Sequence, residues 1–101
     1  MSTAISTNDR TCHCIRLTGD IDISRCRELD EIVSDYACSG RANVVVCLDD
    51  VDYCGTAGIS MIIRLEHIAA SRGGALVVTG ASPRVHRVFD VTGLGRFLVE
   101  A

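Results

Sequence analysis

The chain predicts an α/β fold, a single domain over residues 1–101 with a mixed, mostly parallel β-sheet and alternating helices. Three observations predict it. Apolar or alternating runs take turns with amphipathic ones along the sequence. Glycines, or a Ser-Pro pair, punctuate the joins. The 101 residues suffice for one domain and are too few for two. Such alternation implies parallel strand pairs joined by right-handed crossovers.

Each element follows in order. Thr11 to Thr18 alternates, with Ile15 and Leu17 on one face and Cys14, Arg16 and Thr18 on the other, the pattern of a half-buried strand. Ala4 to Thr7 is predicted to pair with it as a hairpin across Asn8-Asp9. Thr18-Gly19-Asp20 turns the chain toward a helix capped by Asp22 or Ser24, whose apolar stripe is Cys26, Leu29, Ile32, Val33 and Tyr36. Ser39-Gly40 stops it. Asn43 to Leu48 is apolar and rich in β-branched residues, which predicts a central strand covered on both faces.

An acidic turn and the small-residue loop Gly55-Thr56-Ala57-Gly58 then open a second helix. Its predicted inner face is Ile59, Ile62, Ile63 and Leu65 or Ile68, with Ser60, Arg64, His67 and Ser71 opposite. Gly73-Gly74 ends it, and Ala75 to Thr79 is a further strand. Ser82-Pro83 caps a helix with Val85, Val88 and Phe89 inward, which Gly93 ends before a short strand from Phe97 to Val99.

Composition narrows the function. A 48% hydrophobic content fits a packed globule, and no run approaches the ~20 apolar residues of a membrane span. The opening MSTAISTNDR lacks a hydrophobic signal core, so the protein is expected in the cytoplasm, away from membranes. A net charge of −3 gives no basic stripe for nucleic acid. Arg84, His86 and Arg87 make a small basic patch that reads as a solvated face. Six cysteines in a reducing compartment need not pair. Cys26 and Cys47 read as core. Cys12 and Cys14 flank His13, but His13 points to the opposite strand face and no second ligand pair follows, so no metal is expected. No nucleophile–base pair or phosphate-cradling glycine motif appears; neither an enzyme nor a cofactor is predicted.

The chemistry concentrates at Thr56, a hydroxyl at a helix N-terminus following a strand. Free amides and the helix dipole there favour negative charge. Thr56 is either a helix cap, for which Ser and Thr are preferred, or a site where phosphate is added and held.

Three segments together resemble the STAS domains of bacterial anti-sigma factor antagonists: CIRLTGDID (14–22), VVVCLDDVDYCGTAGI (44–59) and GGALVVTGASPRVHRVFDVTGLGRFL (73–98). The resemblance covers residues 11–100. It implies a partner switch, in which the unmodified antagonist binds an anti-sigma factor that is also a serine/threonine kinase, freeing a sigma factor for transcription. The kinase phosphorylates the first Ser of a loop that usually reads Phe-Ile-Asp-Ser-Ser-Gly-Leu, and a phosphatase restores it. Aligned on this chain, that phosphoacceptor is Thr56, the glycine is Gly58 and the leucine Ile59. With Asp22 and Gly55 these make the implied partner surface. Thr in place of Ser keeps the hydroxyl, whereas Gly55 replaces an acidic residue. Asp22 has a competing role as a helix cap.

Cys54 adds a redox reading, since thiolates are favoured near helix N-termini and oxidation there would block docking; its alternative is a buried inert thiol. Two other functions remain open: a STAS module of a ligand- or lipid-transport complex, which needs no phosphoacceptor, and a scaffold subunit of a stress-sensing assembly. The absence of a long exposed apolar stripe predicts a monomer or weak dimer.

Overall fold

The structure, a computed structural model, describes residues 12–99. β1 (Cys12–Ile21) leads through a 3-10 turn (Ile23–Arg25) into α1 (Cys26–Ser39). β2 (Asn43–Cys54), α2 (Thr56–Ser71), β3 (Leu76–Thr79) and α3 (Pro83–Val91) follow, then a second 3-10 turn (Gly95–Phe97) and the short β4 (Leu98–Val99). The strand order is β1-β2-β3-β4, and every described pair is parallel. The antiparallel hairpin expected at Ala4–Thr7 lies outside the described residues.

All three helices contribute to one core, which sits on a single face of the sheet. Register identifies that face, because Ile15 pairs Val46, Val44 pairs Leu76 and Val46 pairs Val78, and all belong to the core cluster. Against them lie Leu29, Val33 and Tyr36 of α1, Met61, Ile62, Leu65 and Ala69 of α2, and Val85 and Phe89 of α3. The expectation that β2 is covered on both faces over residues 43–48 holds in part. β2 is central because β1 and β3 flank it, while on its other face Val45 is buried, Cys47 half-buried and Asp49 exposed.

A correction concerns the acidic turn. Asp49 to Cys54 continues β2, and β1 runs on to Ile21. Two register shifts, between Arg16 and Thr18 and between Gly19 and Asp20, each set an extra β2 residue against β1. The inward positions of β2 are thereby Val44, Val46, Leu48, Val51 and Cys54, with the aspartates left outside. Gly19 has φ +78°, a left-handed conformation that side chains disfavour.

Two helix faces also differ from expectation. Cys26 opens α1 and is exposed, three residues before the stripe turns inward at Leu29. In α2, Met61 takes the inner position assigned to Ile63, which is exposed. That helix is apolar at 59, 61, 62, 63, 65 and 68, so its periodicity does not single out one stripe. Ser82 caps α3 as expected, accepting from the Val85 amide at 3.2 Å.

Candidate functional site

The site forms where β1 and β2 end side by side. Ile21 and Cys54 are register partners, and the Gly55 amide donates to the Ile21 carbonyl at 2.9 Å. The turn carrying Asp22 thus lies next to the loop carrying Thr56. Arg25 braces the first of these, donating to the carbonyls of Thr18 at 2.6 Å and Asp20 at 2.9 Å while paired with Glu28 at 2.9 Å.

Asp22 caps the 3-10 turn. One carboxylate oxygen accepts from the Ser24 amide at 3.0 Å and from the Ser24 hydroxyl. These hydrogen bonds, led by the hydroxyl, hold its carboxyl below the usual carboxylate range. Its helix-cap reading is thereby met by the short turn rather than by α1 itself.

Thr56 is not a cap. Gly55 holds the amino-cap position of α2, and Thr56 is the first helical residue, exposed, with no side chain capping the helix. The first helical bond runs from the Ile59 amide to the Gly55 carbonyl at 3.1 Å. The amides of Ala57 and Gly58 point past the helix end, as in any first turn. The Thr56 hydroxyl therefore stands at the positive end of the helix dipole, open to solvent.

Around it the predicted residues divide by depth. Ile59 and Gly55 are half-buried, whereas Gly58 is buried. A Cβ at Gly58 would lie 2.5 Å from Cys54 Sγ and 3.0 Å from Ile21 Cγ2. This glycine lets the helix start close onto the strand ends and underlies the surface rather than forming it. Cys54 is 3% exposed, and burial pushes its thiol up to about 11. The thiolate that oxidation requires is suppressed there, which favours the inert alternative. Among the described residues no group of three or more His, Cys, Asp or Glu is placed to hold a metal ion. His13 instead packs against Tyr36 in a tilted arrangement, with 5.4 Å between ring centroids.

Sequence reading missed two exposed apolar residues beside Thr56. Ile23, on the 3-10 turn, is 77% exposed, and Tyr53, before the loop, is 46% exposed. An open groove of about 290 Å³ runs between Ile23 and Cys26 on one side and Thr56, Ala57 and Ser60 on the other. Arg64 lines it as well and is paired with Asp30 of α1 at 2.9 Å. An isoleucine following a cap residue carries no signal that separates core from surface, so only the fold reveals this patch.

Set beside known proteins, the sequence has a clear match: the family described as "Mlab, STAS domain" covers residues 6–100. The chain belongs to the STAS family. A relative from Bacillus subtilis (strain 168) named anti-sigma-B factor antagonist is 31% identical to this STAS domain over 80 residues, 79% of this chain and 72% of the relative. Another of the same name, from Staphylococcus aureus (strain NCTC 8325 / PS 47), is 25% identical over 79% of this chain and 74% of its own. Among solved structures, the anti-sigma factor antagonist SpoIIAA in its unphosphorylated form gives a TM-score of 0.82 at 18% identity, covering 93% of this chain and 83% of that one. The phosphorylated form of the Bacillus cell fate determinant SpoIIAA gives 0.74 at 19% identity, covering 93% and 86%. At such identities the likeness establishes the fold of the STAS domain, four parallel strands and three helices.

Proposed function

We propose that this STAS domain is an anti-sigma factor antagonist, which docks on a kinase-like anti-sigma factor through the surface around Thr56 and is released when Thr56 is phosphorylated. The observation that carries this reading is the state of Thr56. Its hydroxyl is exposed on the first residue of α2, no side chain competes for the helix amides, and two exposed apolar residues lie nearby. The names of the curated relatives support the same reading. The protein acts by binding and has no turnover of its own; a phosphatase would reset it.

The physics of such a switch favours release without unfolding. A phosphate brings roughly −1.5 to −2 charges and three acceptor oxygens. At a helix N-terminus it gains about 0.3–1 kcal/mol from the dipole, so the domain tolerates it. A partner covering that dianion must strip its water, at a cost of several kcal/mol unless cations replace it. Since about 1.4 kcal/mol is tenfold in affinity, 3–4 kcal/mol lowers binding several hundredfold. Desolvation at the interface outweighs the local gain.

The test is to incubate the protein with ATP, magnesium and kinase-like anti-sigma factors from the same cell, and to read intact mass. One added phosphate mapped to Thr56, with Thr56→Glu weakening the complex and Thr56→Ala preserving it, is expected. Equal affinities for the two variants would sink the switch. A stable complex without phosphate transfer would leave docking and remove the phosphorylation control. Gly55, which stands where the resembled loop carries an acidic residue, favours one second reading, a STAS module of a transport complex that needs no phosphoacceptor. Docking on a transport ATPase, with no phosphate gained, would identify it.

A further inference from the structure

Gly55 takes the amino-cap position of α2 with φ −91° and ψ −164°, an extended backbone that any residue adopts. Ser, Thr, Asp and Asn are preferred at such positions because a side-chain oxygen can bond a first-turn amide. Glycine here forgoes that cap without any conformational need. Space supplies the reason. A Cβ at position 55 would lie 3.0 Å from Tyr53 Oη, 3.1 Å from Cε2 and 3.3 Å from Cζ. Tyr53 stands two residues earlier in an extended strand end, on the same side of the chain. The tip of its phenol ring thus rests on the bare backbone of the residue that precedes Thr56.

The ring is not there to fill a core, since it is 46% exposed while the core lies on the other side of the strand. It is an aromatic surface seated on the loop. Tyrosine offers large contact area at a low entropic cost, because only two side-chain torsions need ordering. A ring already seated costs a partner still less to order.

We infer that Tyr53 and Gly55 form a matched pair: the glycine seats the ring beside Thr56, and the ring is a specificity-determining contact for the docking partner. This rests on docking at Thr56. A side chain at 55 displaces the ring tip without altering the chemistry of the ring. Residue 55 accordingly acts through residue 53, and its replacement removes a contact that it does not itself make. The displaced atoms are the free end of an exposed side chain, so the fold survives the change.

Two measurements test the pair. The first needs no partner. In the nuclear magnetic resonance spectrum the Gly55 α-protons carry a ring-current shift from Tyr53, which Tyr53→Leu abolishes and Tyr53→Phe keeps. Absence of any difference between wild type and Tyr53→Leu overturns the pairing. The second is a double-mutant cycle of binding to the anti-sigma factor found by the phosphate-transfer assay. Tyr53→Phe should bind within twofold of wild type. Tyr53→Ala and Gly55→Ser should each bind about tenfold more weakly, with the double variant no weaker than either alone. If those variants bind as wild type while Thr56→Glu fails to bind, the pair has no docking role and the Thr56 reading stands. If Thr56→Glu also binds as wild type, the reading of the site falls first. If no factor docks, the docking role of the pair falls with it.

Discussion

The two ends of the sheet are built on opposite principles. At the amino ends of the strands, side chains tie elements far apart in sequence. Arg72, just past α2, donates to the carbonyls of Tyr36 and Ala37 at the close of α1 and to Arg41 beyond it, and its guanidinium lies over the Tyr36 ring at 5.3 Å. Tyr36 in turn donates to the Ala42 carbonyl at 3.0 Å, and Asn43 accepts from the Ala75 amide at 2.9 Å. Gly74 sits so close that a Cβ there would meet the Ala42 carbonyl oxygen at 2.0 Å. The carboxyl ends look different. Beyond the exposed Arg64–Asp30 pair that joins α2 to α1, the side-chain bonds beside the loop are local, between Asp22 and Ser24 or between Arg25 and the turn before it. Among the described residues no side-chain hydrogen bond or ion pair holds Thr56, and α2 starts without a side-chain cap. The contrast teaches that this domain secures one end and leaves the other free to change partners.

The largest effect should come from disturbing the secured end. Gly74→Ala forces backbone apart at Ala42 and should cost about 3 kcal/mol or more in urea unfolding, at the upper end of overpacking penalties. A loss below about 1 kcal/mol, the low end of that range, would show that this end is not tightly closed. Arg72→Ala should cost about 2 kcal/mol, because charged hydrogen bonds to the last carbonyls of α1 are lost. Arg72→Lys should recover only part of it, lacking the planar fork.

At the open end the effects on stability shrink. Gly58→Ala should cost about 1–2 kcal/mol through its approach to Cys54 Sγ, and Cys54→Ala should relieve much of that loss in the double variant. Thr56→Ala should leave unfolding within about 0.5 kcal/mol of wild type, the range of surface substitutions. A larger loss would mean that Thr56 has a structural role and that this end is secured as well.

Two further measurements concern protons. Burial and the nearby Arg41 lower the His13 pKa from its ordinary 6.5, so the folded state binds fewer protons than the unfolded chain just below that pH. That contribution to stability is present above pH 6.5 and is lost as pH falls through the folded pKa. His13→Asn should flatten this part of the stability–pH profile. Alkylation at mildly alkaline pH should modify the exposed Cys14, Cys26 and Cys38 quickly, and Cys12 and Cys54 only after unfolding. Rapid modification of Cys54 in the folded protein would restore the redox reading that its burial argues against.

Much of the architecture was legible because local pattern and tertiary structure agree. The alternation around Ile15 and Leu17, the Leu29-Val33-Tyr36 stripe and the Ser82-Pro83 cap each fold as their chemistry dictates. The strand ends were not legible, since an Asp-rich run signals a turn by propensity while two bulges make it strand. Thr56 could be singled out from its neighbours, but its exact position could not. A cap and a first helical residue differ by one place, and helix boundaries read from sequence are uncertain by more than that. Ile23 and Tyr53 escaped notice for another reason: exposure of a large apolar residue is a property of the assembled fold.

The two bulges have a further consequence for how this sequence can vary. Each advances β2 by one residue relative to β1, so together they fix the phase at which the chain arrives at α2. Deleting Asp50 would remove the first bulge yet leave Val51 opposite Gly19 and facing inward, since Leu48 and Val51 would then alternate regularly. A loss of one residue in this stretch is therefore absorbed where the strand bulges, and the hydroxyl still arrives on the same side of the sheet.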